Sequence, residues 1–292
     1  MKSLRREFAV SLMSRVLEVS KSGYYAWLTR SPSRRAQDDV CLSVAIKAAH
    51  TRTRETYGPE RLQPELAAEG FQLGVGRIKR LRKQLGLRCK QKRKFKATTN
   101  SKHELPVAEN LVGQDFRTDR PHQVWVSDIT YVATDEGWLY LAGIKDLHTC
   151  EIVGYALDSR MTKALVGRAL FSAVAQHRPP RGLILHSDRG SQYCAHDYQR
   201  LLRQFGLRCS MSRKGNCYDN APMESFWGTL KTELVHHRRY TTRAQAIREI
   251  REYIEIFYNR QRRQSKINYL APAVFAKQCA LRARIKFDGV HY

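Results

Sequence analysis

The sequence predicts a mixed five-stranded α/β sheet flanked by helices and preceded by an all-α segment. Two observations carry this. Apolar residues recur at helical spacing through "GVGRIKRLRKQLGL", whereas beyond Pro121 they fall into short runs rich in β-branched and aromatic residues that alternate with helical stretches. A third observation, the charge, bears on what the fold touches. The 292 residues hold 52 Lys and Arg against 27 Asp and Glu, a formal charge of +25, which exceeds what solubility requires and suits a polyanionic partner.

The excess is uneven. Residues 1–104 hold 24 basic and 9 acidic residues, and residues 105–292 hold 28 and 18, so both parts are suited to nucleic acid and the first more heavily. Composition alone also fits a ribosomal or membrane-surface protein; it sets a partner class and no reaction. The seven cysteines are scattered without a C-x-x-C pair, which argues against a disulfide framework or a zinc module and for a reducing compartment. With no secretory leader and no apolar run approaching a membrane span, the expected location is the cytoplasm, with the nucleoid.

Each element has its own justification. Leu4, Phe8, Leu12 and Val16 lie at helical spacing ahead of the capping residues Ser20 and Ser22, a helical lead-in assigned to residues 1–35. Residues 36–100 read as helix, Gly-containing turn and basic helix, the outline of a helix-turn-helix. In its last helix Val75, Ile78, Leu81 and Leu85 offer a packing face, while Arg77, Lys79, Arg80, Arg82 and Lys83 offer either a solvated face or a row of DNA contacts; the turn and the overall charge favour DNA. Residues 101–118 read as a flexible basic linker.

Residues 119–280 form the catalytic-core candidate, with 281–292 as a tail. "QVWVSDITYVAT" and "GWLYLAGIKDLHT" are strands joined at "DEG", and "EIVGYALDS" is a third. There follow a helix, the strand "LILHSD", a helix, the short strand "LRCSMS", the helix that begins near Glu224, and a long helix through "RAQAIREIREYIEIFYNR". The order βββ, α, β, α, β, α is the outline of a ribonuclease H-like fold.

Within that outline three acids stand out. Asp128 interrupts the apolar strand "VWVSDITYV", where an unpaired carboxylate costs several kcal/mol. Asp188 ends "LILHSD", and strand ends are where ligands bind in α/β sheets. If the first and fourth strands are neighbours, the two carboxylates approach and a divalent cation relieves their repulsion. Oxygen ligands without convergent Cys or His favour Mg2+ or Mn2+, and two such ions suit in-line displacement at a phosphodiester. Glu224, read locally, is either a solvated helix acid or the third vertex. Lys231, two turns further along the same face, reads as a surface lysine on helical phase alone.

Other residues read more plainly. His186, beside Asp188, and Gln192 and Tyr193 after it are candidates to position water or DNA, with a core or strand-end histidine the first reading of His186. Asp219 or Asn220 is expected to cap the Glu224 helix, with DNA contact by Tyr218, Asp219 and Asn220 second, and Trp227 is read as core. No phosphate-cradling glycine loop is present, so no NTP requirement is expected.

The motifs "WVSDITY", "HSDRGSQY" and "DNAPMESFWGTLKTE", with 35 residues (189–223) between Asp188 and Glu224, resemble the DDE signature of insertion-sequence transposases related to retroviral integrases. More narrowly, nearly the whole chain is similar to the downstream-frame product, OrfB, of the IS3 family. "SKSGYYAWLTR", "YGPERLQPEL" and "RIKRLRKQLGLR" resemble that family's helix-turn-helix segment. The resemblance implies Asp128, Asp188 and Glu224 as catalytic metal ligands for Mg2+ or Mn2+, with two ions, and Lys231 as the signature basic residue. It implies cleavage at element ends followed by attack of the freed 3′-OH on DNA, often through a circle of the element. The implied partners are element-end and target DNA, further copies of the chain on that DNA, and an upstream-frame product, OrfA, by frameshift fusion or association. No heptad zipper precedes the core, so the chain is expected to be the catalytic part of a larger enzyme. Gln264 stands where the family often has His, which puts an imidazole role there in doubt, and the zinc domain of retroviral integrases is not matched. A hydrolysis-only nuclease and a non-catalytic DNA-binding regulator of transposition are the competing readings.

Overall fold

The computed structural model describes residues 1–90, 106–213 and 216–288. Residues 91–105 of the helix-turn-helix segment and linker, and residues 289–292 of the tail, lie outside the described residues. The lead-in forms α1 (Val10–Val16) and α2 (Lys21–Thr29), the second opened by Ser20, whose hydroxyl accepts the Gly23 N–H. Ser33 opens α3 (Arg34–Arg52) in the same way. α3 packs with α4 (Pro59–Ala68) and α5 (Val75–Gln84) around Leu42, Ile46, Tyr57, Leu62, Leu66, Ile78 and Leu81, a core separate from that of the sheet.

This helical unit is attached to the C-terminal part of the chain. The Arg263 N–H donates to the Tyr57 hydroxyl at 2.7 Å and the Arg263 guanidinium to Glu65 at 2.6 Å, while Arg54 lies over the Phe257 ring.

The sheet has the order β3-β2-β1-β4-β5, from β1 (Val124–Thr134), β2 (Gly137–Asp146), β3 (Ile152–Asp158), β4 (Ile184–Ser187) and β5 (Arg208–Met211). β1, β2 and β3 form an antiparallel meander; β4 and β5 run parallel to β1. The β1–β2 turn is tight, with Thr134 paired to Gly137, whose φ of +103° suits glycine. Side chains alternate between faces. Trp125 and Ile144 face α6 (Lys163–His177), α7 (Ser191–Cys194) and α8 (His196–Gln204), whereas Val124, Val126, Leu139 and Leu141 face α9 (Ala221–Glu233) and α10 (Arg243–Glu252). The sheet is therefore covered by helices on both sides, as the order of elements predicts.

Three features depart from expectation. Residues 106–118, read as a continuation of the linker, are laid against the core: Leu111 N–H donates to Ser210 Oγ, Met211 N–H to the Glu109 carbonyl, and Val112 is buried. Their partners lie about a hundred positions away, so nothing local announces them. The long helix through "YNR" changes at residue 253 into a π-helix, Tyr253–Gln261, which turns Tyr253, Ile254, Phe257 and Tyr258 into the core. Finally, α11 (Pro272–Asp288) runs without a break across residues 280 and 281, where the core was expected to end and the tail to begin. No helix among the described residues is long and apolar enough to cross a membrane.

Candidate active site

Parallel pairing sets the first two acids. β1 and β4 pair Val124 with Ile184 and Val126 with His186, and the same register carried two residues further puts Asp128 opposite Asp188. Asp188 lies just past the end of β4, where Gly190 N–H donates to its Oδ1 at 2.9 Å. Asp128 is partly buried and alternates onto the α9 face with Val124 and Val126. Its Oδ1 accepts the Ile129 N–H at 2.8 Å and its Oδ2 the indole N–H of Trp227 at 3.0 Å. Burial foremost, then the charge of Asp188 and to a smaller extent that of Glu224, push the Asp128 carboxyl up to about 8 against the pull of those two hydrogen bonds. The two neighbouring carboxylates thus oppose each other's ionisation.

The third acid depends on how α9 begins. Asp219 and Asn220, expected as caps, do not cap it. Asp219 is fully buried and takes Arg213 through Nε, Nη2 and the backbone N–H, together with the side-chain amides of Gln114 and Asn110. Arg213 foremost holds that carboxyl far below the usual range. Asn220, the residue before α9, reaches across to the Ser127 carbonyl at 3.1 Å instead of to an amide of its own helix. Both side chains are spent on tertiary contacts instead of on the helix's own amides: Asn220 ties the start of α9 to the strand that carries Asp128, and Asp219 ties it to the segment after β5 and to residues 110–114. Glu224 follows in the first turn of α9, exposed, with burial raising its carboxyl modestly. Among the described residues no three Asp, Glu, His or Cys side chains converge tightly enough to hold a metal as they stand. Asp128 and Asp188 are thus neighbours, and Glu224 is within electrostatic reach of Asp128 without closing a cage.

Lys231 is not the surface lysine that helical phase suggested. It is buried, its ammonium lies 5.0 Å from the centre of the Tyr131 ring, burial lowers its proton affinity and the charge of Asp128 raises it. His186 is wholly buried between the hydroxyls of Ser210 and Ser212 and is pushed down to about 4 by burial, so it is a neutral core histidine. Tyr193 is buried, its hydroxyl against Ser127 Oγ at 3.0 Å. Gln264 fastens the last turn before α11 through its backbone, its N–H on the Leu270 carbonyl.

On α5, Arg77 and Arg80 both pair with Asp39 of α3, Lys79 pairs with Glu60, Arg82 is buried against Cys89 Sγ, and Lys83 is exposed. The six described cysteine side chains are free thiols.

Sequence reasoning missed the partner of Asp128. Trp227 is core, as expected, yet its N–H is spent on the carboxylate. The one available signal was position: Trp227 stands three residues after Glu224, on the same side of the helix.

Most of the chain is similar to known proteins. Residues 118–217 and 224–279 match two models each described as an integrase core domain, and residues 36–95 match an HTH-like domain. The chain is 64% identical over 266 residues to the insertion element IS600 uncharacterized 31 kDa protein of Shigella sonnei, covering 91% of this chain and 98% of that one. It is 44% identical over 272 residues to transposase InsF for insertion sequence IS3A of Escherichia coli strain K12, covering 92% of this chain and 94% of that one. The chain belongs to the IS3 family of transposases. A solved structure of the HTLV-2 integrase catalytic core domain in complex with magnesium is similar at a TM-score of 0.44 and 13% identity, covering 55% of this transposase and 99% of that chain. The transposase is a polynucleotidyl transferase, and its HTH-like segment takes in α3 to α5.

Proposed function

We propose that Asp128, Asp188 and Glu224 are the acids with which the transposase cuts insertion-sequence ends and joins the freed ends to DNA, holding two Mg2+ or Mn2+ ions between them. The observation that carries this reading is the opposition of Asp128 and Asp188 at two parallel strands, with Asp128 pushed up to about 8 by burial and by its neighbour's charge. An all-oxygen donor set of that charge fits a hard divalent cation. When bound, such ions supply the positive charge that activates an attacking oxygen and stabilises a leaving one.

The chain's own residues do the rest. Asn220 holds the start of α9 against β1, so that Glu224 is presented beside the strand that bears Asp128, and the Asp219–Arg213 pair fixes the turn before the helix to the segment after β5. Lys231, on the same helix, places positive charge near Asp128. In the first step water adds across a phosphodiester, leaving a 3′-OH and a 5′-phosphate. In the second, that 3′ oxygen bonds to a target phosphorus while the bond to the target's own 3′ oxygen breaks, and the proton passes to the oxygen that leaves. One phosphodiester is exchanged for another, so the joining needs no nucleotide triphosphate.

The test is incubation of the transposase with pre-cleaved element ends and a target duplex in Mg2+. Joined product is expected; end release without any joined product would reduce the activity to hydrolysis and sink the transfer reading.

The partner on the helix-turn-helix side is DNA, with α5 as the contacting helix through Arg77, Lys79, Arg80 and Lys83; Arg82, expected in the same row, is buried against Cys89 and does not face a ligand. Lys79→Ala and Lys83→Ala are each expected to reduce the slope of log affinity against log salt by about 1. An unchanged slope in both would remove α5 from the contact surface. The enzyme acts in the cytoplasm at the nucleoid, as an oligomer on DNA, with the upstream-frame product supplied by fusion or association.

A further inference from the structure

The Asp128 carboxylate is gripped at both oxygens, by the Ile129 N–H at 2.8 Å and by the Trp227 indole N–H at 3.0 Å. The two grips differ in origin. The first is local and moves with the strand; the second comes from α9, 99 positions away, one turn beyond Glu224. An indole N–H donates and never accepts, so it leaves the remaining lone pairs of the carboxylate for other partners while fixing its plane.

Trp227 is itself held to this task. Its side chain is buried in the core on the α9 side of the sheet, with Phe226 at 4.9 Å between ring centres. Gly143, the residue paired with Asp128 across β1 and β2, leaves the space it needs: a Cβ there would lie 2.8 Å from Cη2 of Trp227 and 2.7 Å from Cε of Met223. A glycine in the middle of a central strand weakens the strand and otherwise has no reason to be there.

We propose that Trp227 is a positioning residue for the transfer reaction, its indole N–H holding the Asp128 carboxylate in one orientation and tying that orientation to the helix that carries Glu224. The inference rests on the reading of Asp128 and Glu224 as acids of the active centre. Because one helix bears both the third acid and the donor to the first, any shift of α9 moves the two together. Gly143 sets how close that helix comes.

The test replaces Trp227 site-specifically by benzothienylalanine, which keeps the bicyclic shape and puts sulfur where the indole has N–H, alongside Trp227→Phe and Gly143→Ala. Three quantities are read: Mn2+ affinity by calorimetry with the metal alone, kcat and KM for joining of pre-cleaved ends, and the melting temperature. For the benzothienylalanine protein, Mn2+ affinity is expected to fall ~10–100-fold and kcat by about tenfold or more, with KM for DNA and melting temperature unchanged. Gly143→Ala, which pushes the ring off its seat with the N–H intact, is expected to lower Mn2+ affinity and kcat likewise. Native Mn2+ affinity and kcat in the benzothienylalanine protein overturn the inference. So does a loss that is matched by a lower melting temperature and a raised KM, since packing alone would then explain it. If Trp227→Phe fails to fold, the isosteric replacement still decides. Asp128→Asn, assayed beside them, separates the two levels: joining retained there sinks the reading of the site, whereas joining lost there but native in the Trp227 variants sinks only the role of Trp227.

Discussion

Asp128→Asn, Asp188→Asn and Glu224→Gln are each expected to cut end cleavage and strand joining by about a thousandfold or more, while affinity for DNA measured at fixed salt stays within a few-fold. Each change removes one negative charge from a cluster whose use is to concentrate it, and DNA affinity comes chiefly from Lys and Arg on phosphates. Asp128→Asn does further harm, because the carboxylate now accepts an N–H at each oxygen. An amide offers one acceptor and turns its own NH2 toward the other donor. Gel-shift titration next to a joining assay checks this. Retained joining in any of the three, or binding lost in step with joining, would remove that residue from the active centre.

Arg262→Ala is expected to lower stability by ~3–5 kcal/mol, seen as a shift of the urea midpoint with little change in slope. Arg262 and Glu233 are both nearly out of solvent, at 6% and 8% side-chain exposure, and meet through Nη2 to Oε1 at 2.7 Å and Nε to Oε2 at 2.9 Å. Tyr253 donates to the same carboxylate at 2.7 Å. Deleting the arginine leaves a buried charge with one neutral donor. Pairing Arg262→Met with Glu233→Leu is expected to restore much of the loss, since a charge that is gone needs no partner. Glu233 is the last residue of α9, so the single variant should lose joining activity as well, by loosening the helix that carries Glu224. A single variant as stable as the native chain would show that the pair contributes nothing.

What the sequence disclosed and what it withheld divide along physical lines. Asp128 and Asp188 were legible because an acid in an apolar strand is costly wherever the rest of the chain lies. The change of apolar period at Pro121 likewise needs only neighbours, and so the order of elements along the chain followed, while the neighbouring of β1 and β4 in the sheet came from the ribonuclease H-like outline. Glu224, read locally, was as easily a solvated helix acid as a third vertex, Lys231 looked like a surface lysine, and the family resemblance set both apart. Trp227 on Asp128, Arg262 on Glu233, and Asp219 on Arg213, Gln114 and Asn110 are meetings of side chains 6 to 109 positions apart, in pockets that the finished fold creates. Asp219 and Asn220 show the hazard of local rules: both are good cap residues, yet Asn220 is spent on the Ser127 carbonyl of β1 and Asp219 on Arg213, Gln114 and Asn110. Gly143 could be noticed as a glycine in a strand, but the ring that fills its space comes from 84 positions later, at Trp227.

The pairing of β1 with β4 makes the enzyme sensitive to parity. Successive side chains of a strand point to opposite faces. One residue inserted between Val126 and Asp128 would turn the carboxylate away from Trp227 and into the apolar layer under α6. Two inserted residues would restore the face but carry the carboxylate about 6.6 Å along the strand, at ~3.3 Å per residue, and out of step with Asp188. Neither an odd nor an even insertion at that point leaves a working pair of acids. The loops at the edges of this sheet can lengthen over evolutionary time, but the few residues of β1 ahead of Asp128 can change only by substitution.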